Sequence, residues 1–191
     1  MTPSVLSQRL PRSGSAALAS AAMLQLVLGL EFILAGTNKA IDPDYPAQFR
    51  GFVQGSPGAS SGPLSGLIHT LVVPNVDLVA QIAKATELGA GAILVLAAME
   101  VLRRRLAAPI GAPHGYEPAV ALISAASAFA LGAMSLSIYF LEGGQVPMIN
   151  PGYAFASPIA VELLLVPFAF GIAWIELARF FALRSTLTNT L

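Results

Sequence analysis

Residues 16–39 read AALASAAMLQLVLGLEFILAGTNK, an apolar run whose one internal charge is Glu31. A helix needs about 20 mostly apolar residues to cross a bilayer, and this run is long enough. Over the full 191 residues, 55% are hydrophobic and 10% are charged, whereas water-soluble domains carry about 25% charged residues. The composition therefore predicts an integral membrane protein and argues against a soluble enzyme, a disordered chain or a coiled coil.

Three further runs have the same character, so the chain is predicted to contain four spanning helices. These runs cover about residues 76–102, 118–141 and 156–183. Consecutive spans cross the bilayer in alternating directions. The predicted fold is therefore an all-α integral membrane domain, a single antiparallel four-helix transmembrane bundle over residues 1–191.

Basic residues predict the orientation, because loops on the cytoplasmic side are enriched in Lys and Arg. With four spans, both termini and the loop at about 102–117 share one side, which holds seven arginines: Arg9, Arg12, Arg103, Arg104, Arg105, Arg179 and Arg184. The opposite side holds only Lys39 and Arg50. Both termini are therefore expected to be cytoplasmic, in a protein of the inner membrane.

The outer loop at about 40–75 is too long to be a simple connection. Its middle, Gly55–Pro63, is rich in Gly, Ser and Pro and is predicted to be flexible. After it, apolar residues recur at helical spacing, at Leu64, Leu67, Ile68, Leu71 and Val72. This pattern predicts a short amphipathic helix that lies in the outer interface.

Charge and residue usage narrow the function further. Ten basic and ten acidic residues cancel, so there is no overall basic field for nucleic acid. Cys is absent, which excludes disulfides, iron–sulfur ligation and thiol catalysis. The two histidines, His69 and His114, are predicted on opposite sides of the membrane and cannot share a metal or a haem iron. No metal and no covalently bound cofactor are expected.

Several ionisable residues fall inside the spans at similar depth. At about 1.5 Å per residue, Glu31 and Lys84 each lie about 12 Å below the outer end of their spans, and Glu162 lies about 9 Å below. Ionisable groups in the hydrocarbon usually face the interior of a bundle. A polar seam between spans one, two and four is therefore predicted, formed by Glu31, Asn38, Lys39, Asp77, Lys84, Glu87 and Glu162.

Two interpretations of this seam remain open. In the first, Lys84 forms a buried ion pair with Glu31 or Glu87 and fixes the helix register, since either charge alone in the membrane would be neutralised. In the second, the seam binds a quinone: Lys84 and Asn38 donate hydrogen bonds to a carbonyl, and Glu87 or Glu31 exchanges protons. Intramembrane polar residues can hold helices together without chemistry, which favours the first interpretation.

The third span contains small residues at four-residue spacing, namely Ser124, Ala128 and Gly132. Such spacing predicts a face on which another helix packs closely. An Ala-rich span without any special packing face is the alternative.

Two stretches of the sequence resemble DoxX-like proteins and their DoxD group. The first is LGLEFILAGTNK at residues 28–39, and the second is VPNVDLVAQIAKATELGAG at residues 73–91. In that family a Gly-rich first span closes on Gly-x-x-Lys, and the second span contains Glu-Leu-x-x-Gly. The matching residues in this chain are Gly29, Gly36, Lys39, Glu87 and Gly91.

The resemblance implies a small subunit of a membrane redox assembly. The function expected first is an integral subunit of a larger respiratory or photosynthetic electron-transfer complex. Its role would be mainly structural, with a quinone contact, and its partners would be other subunits of the complex and membrane lipid. No catalytic residue follows from the resemblance.

Two alternatives use the same charges. One is a quinone-reducing subunit of a thiosulfate:quinone oxidoreductase-type enzyme, with Lys84, Glu31 and Glu87 around the quinone head. The other is a carrier of protons or small solutes. The sequence contains no inverted repeat, which counts against the carrier.

Overall fold

The structure is a computed structural model that describes residues 12–106, 116–144, 147 and 159–188. Within these ranges the chain is helical and contains no strand. The helices are α1 (Arg12–Ile41), α2 (Tyr45–Gly55), α3 (Pro57–Ser61), α4 (Ser65–Leu67), α5 (Val76–Leu106), α6 (Glu117–Leu141) and α7 (Val161–Thr188). A π-helical turn at Ile68–Val72 and a 3₁₀ turn at Val73–Asn75 join α4 to α5.

Among the residues that the structure describes, four helices are long and apolar enough to cross a membrane, as predicted. The apolar segments are Leu18–Ile41, Ser65–Arg104, Glu117–Leu141 and Val161–Ser185. The second extends further than predicted, because the turns before α5 continue its apolar run. The fourth begins later than predicted: Ile159 and Ala160 are not helical, and residues 156–158 lie outside the described ranges.

The four long helices share one apolar core. Each contributes two buried residues: Leu28 and Phe32, Ala90 and Leu94, Ala128 and Leu131, Ala169 and Ile172. Helix association in lipid depends on close packing, because lipid chains are as apolar as leucine. The alanines allow the backbones to approach, and the larger side chains fill the space between them. The core therefore holds all four helices in one unit.

The helices pack most extensively as two pairs, α1 with α5 and α6 with α7. In the first pair, a Cβ atom added to Gly29 would lie 2.8 Å from the carbonyl oxygen of Gly91, and one added to Gly91 would lie 2.9 Å from the carbonyl oxygen of Gly29. Only glycine permits this approach of two backbones. Gly36 meets Leu88 in the same way, with a Cβ position 2.8 Å from the Leu88 Cγ.

The second pair confirms the packing face predicted on the third span. Ser124, Ala128 and Gly132 are all buried. A Cβ atom added to Gly132 would lie 3.1 Å from the Cβ of Ala169 and 3.1 Å from the ring of Phe170. Small residues on α6 thus allow close contact with α7, as such spacing does in other membrane proteins.

Most of Gly55–Pro63, which the sequence predicts to be flexible, forms the short helix α3 in the structure. The Ser56 hydroxyl accepts a hydrogen bond from the backbone N–H of Ala59 at 3.1 Å, and Pro57 occupies the first turn. Serine at the cap and proline at the first helical position are signals for a helix start. Gly58 then packs against the backbone of Phe140 and Leu141 at the end of α6. The segment is therefore docked on the bundle.

The helical spacing after α3 is matched by the structure. Ile68 is buried in a cluster with Val53, Ala59, Val76 and Leu141, with Val72 partly buried against it. The other apolar side chains of the pattern are exposed: Leu64, Leu67 and Leu71. The segment 42–75 thus covers one end of the bundle, which we call the loop end; the opposite end, where α1 begins and α7 ends, is the termini end.

Candidate functional site

A buried ion pair joins α1 to α5 near the loop end. The Lys39 ammonium lies 2.8 Å from Oε2 of Glu87 and donates a hydrogen bond to Oε1 at 2.9 Å. The Glu87 side chain is only 3% exposed, whereas that of Lys39 is 29% exposed. Gly36 makes this arrangement feasible, because any Cβ at that position would lie 3.0 Å from the Cβ of Glu87.

Tyr45, the first residue of α2, closes this site toward the loop segment. The side chain is buried, and its hydroxyl donates to the backbone carbonyl of Ala80 on α5 at 3.4 Å. Burial and, to a smaller degree, the negative charge of Glu87 raise the pKa of Tyr45 to about 12. Tyr45 is therefore neutral at physiological pH and acts as a hydrogen-bond donor beside the ion pair.

The carboxylate of Glu87 is not fully engaged by Lys39. Its Oε1 accepts a hydrogen bond of good geometry, while Oε2 lies at ion-pair distance but accepts none from the described residues. A carboxylate can accept about four hydrogen bonds. Glu87 thus has spare acceptor capacity in a place that is closed to solvent.

The predicted ion pair of Lys84 with Glu31 or Glu87 is wrong. The structure pairs Glu87 with Lys39 instead. Lys84 is partly buried three residues before Glu87 on the same helix, and it forms no ion pair with a carboxylate of the described residues. Lys39 reaches Glu87 from the facing helix, where the glycine contacts bring the two backbones together. The ammonium of Lys84 is left without an anionic partner among those residues.

The structure does not bring the residues of the predicted polar seam together at one site. Glu31 and Asn38 are exposed, on the face of α1 opposite the buried Gly29 and Gly36. At 100° per residue, Glu31 lies about 160° around the helix from Gly29, and Asn38 lies about 160° from Gly36. Neither side chain can reach Glu87, because the helix itself lies between them.

Asp77 pairs with Arg50 of α2 rather than with a residue of the spans. The Arg50 guanidinium donates to Oδ2 of Asp77 at 2.6 Å, and both side chains are at least half exposed. A polar cleft of about 460 Å³ lies beside this pair, between α2 and the start of α5. This ion pair ties the loop segment to α5 at the surface.

Glu162 lies at the start of α7 and faces another acid, Glu142, which follows α6. Partial burial and then the charge of Glu162 raise the pKa of Glu142 above its ordinary value. The loop end therefore carries two opposite kinds of charge pair: an attractive one between α1 and α5, and a repulsive one between α6 and α7.

A second cluster of charges lies at the termini end. Glu100 accepts hydrogen bonds from Arg103 at 2.7 Å, from Arg104 at 2.5 Å and from the Tyr116 hydroxyl at 2.5 Å. Arg104 also forms an ion pair with Glu117 at the start of α6. The cluster connects the end of α5 to the beginning of α6, so its role is to hold two helices.

Sequence reasoning missed Gln25 inside the bundle and Tyr45 beside the ion pair, and it predicted Ser124 as a packing residue but not as a buried hydroxyl without a described partner. Gln25 and Ser124 are 1% and 0% exposed, and the Gln25 Nε2 and Ser124 Oγ have no hydrogen-bond partner among the described residues. Both were hidden in runs of small and apolar residues. For Tyr45, the available signal was Pro46, because proline in the first turn marks the start of a helix.

The structure describes one of the two histidines, His69. A ring nitrogen of His69 lies 3.1 Å from the carbonyl oxygen of Ala59, which links the turn after α4 to α3. His114 lies outside the described residues. Among the described residues, no group of three acidic or histidine side chains is arranged to hold a metal ion.

No protein-family model, curated protein or solved structure matches this chain. The five residues that carry the DoxX-like resemblance nevertheless lie at a single interface. Gly29 contacts Gly91, Gly36 contacts Glu87 and Leu88, and Lys39 pairs with Glu87. These residues bring α1 against α5 and place the ion pair between the two helices.

Proposed function

We propose that this protein is an integral subunit of a larger electron-transfer complex, in which its role is mainly structural. The four long helices would form an antiparallel bundle in the inner membrane, with both termini in the cytoplasm. The 42–75 segment would cover the outer side, with its exposed leucines in the interface. The electron-transfer context follows from the DoxX-like resemblance, and the subunit role follows from the exposed surface of α1.

The observation that carries the subunit role is an exposed carboxylate in the middle of a span. Glu31 lies ten residues before the end of α1 at Ile41, which is about 15 Å along the helix. An acidic side chain at the centre of a membrane helix costs about 2.5–3.5 kcal/mol on insertion scales. A surface of another subunit would remove this cost, whereas lipid chains offer no hydrogen-bond donor.

The internal charges support a structural role. Glu87 is paired with Lys39 across α1 and α5, and Glu100 is paired with two arginines beside α6. Both clusters join helices, and each acid has a basic partner. Charges that are already satisfied by one another stabilise helix register without requiring a substrate.

Gentle solubilisation followed by mass spectrometry tests the proposal. The chain alone has a mass of 19.7 kDa. We expect it to elute in a larger particle that contains subunits with redox cofactors. Elution of the protein alone from membranes solubilised under conditions that preserve known respiratory complexes would contradict the proposal.

A quinone contact is the second candidate, favoured by the free ammonium of Lys84. Lys84 has no anionic partner among the described residues, and Glu87 nearby has an oxygen that accepts no hydrogen bond. Reduction of a quinone requires two electrons and two protons. Lys84 would donate a hydrogen bond to the quinone carbonyl, Glu87 would pass on the two protons in turn, each one replaced from the aqueous side at the loop end, and the two electrons would come from a donor subunit.

A substitution at Lys84 separates this second candidate from the structural role. In Lys84→Met we expect quinone reduction by the assembled complex to be lost while the particle keeps its size. Gln81→Met is the matched control, since Gln81 is an exposed polar residue one turn away on the same helix. Unchanged turnover in Lys84→Met would rule out the quinone contact at this position.

A further inference from the structure

The exposed surface of α1 has the residue pattern of a helix-packing surface. Six exposed residues alternate at spacings of four and three, and we call them the α1 outer face: Ser20, Leu24, Val27, Glu31, Leu34 and Asn38. Val27 and Leu34 are each 62% exposed. A repeat of four and three residues keeps side chains aligned along one side of a helix against a second helix.

The opposite side of α1 is already used. Gly29 and Gly36 lie against α5, and Leu28 and Phe32 lie in the shared core. Helices α6 and α7 pack mainly on one another. An additional helix can therefore be accommodated on the α1 outer face without disturbing the bundle, and among the exposed faces of the described spans this one carries Glu31 at mid-membrane.

The ion pairs of the described residues indicate which charge a helix packed on the α1 outer face would have to carry. Five basic side chains already form ion pairs within the described part of the chain: Lys39 with Glu87, Arg50 with Asp77, Arg103 and Arg104 with Glu100, and Arg179 with Glu176. Lys84 is free of such a partner, but it lies nearer the loop end than Glu31. Because Gly29 faces Gly91, the level of Glu31 corresponds to about residue 89 of α5, and Lys84 lies about 8 Å from that level.

A second copy of the chain would not satisfy Glu31. Two copies inserted in the same orientation bring the same residues to the same depth, so Glu31 would face Glu31 across a two-fold contact. Two ionised carboxylates at the same depth repel one another in a medium of low dielectric constant, and neither offers the other a cationic partner. A helix of a different polypeptide can supply the complementary cation at that depth.

We propose that the α1 outer face binds a transmembrane helix of a different subunit, which presents a lysine or arginine to Glu31 at mid-membrane. Asn38 forms a second polar contact seven residues further along the α1 outer face, and Leu24, Val27 and Leu34 pack between the polar positions. This inference rests on the proposed function, and it names the surface and the chemistry of the partner.

Site-specific photo-crosslinking in native membranes tests the inference. A benzophenone amino acid replaces Leu34 on the α1 outer face, and the matched control replaces Leu96 of α5, which is 66% exposed on another face. We expect one protein adduct from position 34, whose crosslinked segment is a membrane helix with a basic residue. Position 96 is expected to give lipid adducts.

Removal of the carboxylate gives a second readout that does not depend on folding. Glu31→Leu replaces a costly group by one that lipid accepts, so insertion and thermal stability of the isolated chain should improve. The crosslink from position 34 should nevertheless fall about tenfold, because an interhelical polar contact is worth about 1–2 kcal/mol. Asn38→Leu should lower it by a smaller factor.

The possible outcomes separate this inference from the proposed function. An adduct with a second copy, lipid adducts alone, or a partner helix without a basic residue at the crosslinked level would each overturn the inference. If redox subunits still co-purify in those cases, the proposed function stands without it. A basic partner helix that belongs to a complex without redox subunits would support the inference and contradict the proposed function.

Discussion

The α1–α5 and α6–α7 interfaces use similar small residues but differ in how charge is placed at the loop end. In the first, Gly29 and Gly91 touch through their backbones, and the Lys39–Glu87 ion pair joins the helices. In the second, Gly132 packs against Ala169 and Phe170, and the rings of Phe129 and Phe170 are 5.4 Å apart. No ion pair links α6 to α7 among the residues described.

This difference indicates how the two interfaces are stabilised. The contacts described between α6 and α7 are those of small and aromatic side chains, and small residues allow extensive van der Waals contact in lipid. The α1–α5 interface has the same contact plus an electrostatic link that requires both partners. An interface of the second kind should be far more sensitive to the loss of one charged residue.

The largest effect is expected from Lys39→Met, which leaves Glu87 buried without its partner. We expect a loss of about 3–5 kcal/mol in the free energy of unfolding, as for other broken buried pairs. Lys84→Met is the control, because Lys84 forms no ion pair with a described carboxylate. Steric-trapping measurements in bicelles give both values, and similar losses in the two variants would show that the pair has no special role.

Glycine substitutions compare the packing of the two interfaces directly. Gly29→Ala places a Cβ atom 2.8 Å from a backbone oxygen, whereas Gly132→Ala places it 3.1 Å from side-chain atoms. Side chains can move and a backbone in a helix cannot, so we expect a loss of about 1–3 kcal/mol for Gly29→Ala and a smaller loss for Gly132→Ala.

Gly89→Ala serves as the control for these glycine variants. Apart from its chain neighbours and the nearby backbone of α5 itself, nothing lies within 4 Å of an added Cβ at that position. Because alanine has the higher helix propensity, this variant should be as stable as the parent or slightly more stable. Equal losses at positions 29 and 132 would remove the distinction between the two interfaces.

The sequence was sufficient to predict the four spans and the depth of the charges within them. The four spans follow from hydropathy, which is a local property of each segment. The depth of each charge was also readable, because it depends only on position along a helix. The rotation of each helix about its own axis, which sets the face on which a charge lies, could not be predicted from hydropathy. Glu31 and Asn38 have suitable depth but lie on the wrong side of α1 to join a common seam.

The rotation of α1 is set by its glycines, and this signal was present in the sequence. Gly29 and Gly36 are seven residues apart and mark the side that packs on α5. Lys39 lies three residues after Gly36 and can therefore reach the same interface. The fate of Asp77 was harder to predict, because Arg50 approaches it from a loop helix 27 residues away.

The smallest effect is expected at the acidic pair of the α6–α7 side. The pKa of Glu142 is raised by partial burial and by Glu162, so its protonated form is favoured in the folded state. The associated stability is present below pH 4.5, the ordinary value, and is lost as the pH rises through the raised pKa. At neutral pH, repulsion between Glu142 and Glu162 then destabilises the loop end of the α6–α7 pair.

Glu142→Gln removes this repulsion. We expect a gain of about 0.2–1 kcal/mol at pH 7, the scale of exposed charge pairs, and no gain at pH 4. Unfolding measured at both pH values checks the sign. A gain that is the same at both values would mean that the charge of Glu142 is not its source.

A double-mutant cycle on Lys39 and Glu87 tests most directly whether the buried pair locks α1 to α5. The free energies of unfolding of Lys39→Met, Glu87→Leu and the double variant are compared with that of the parent protein. The double variant is expected to lose less than the sum of the two single losses, by at least about 2 kcal/mol, because it leaves no charge unpaired. Losses that add to within about 0.5 kcal/mol would contradict the account, since independent sites behave in that way.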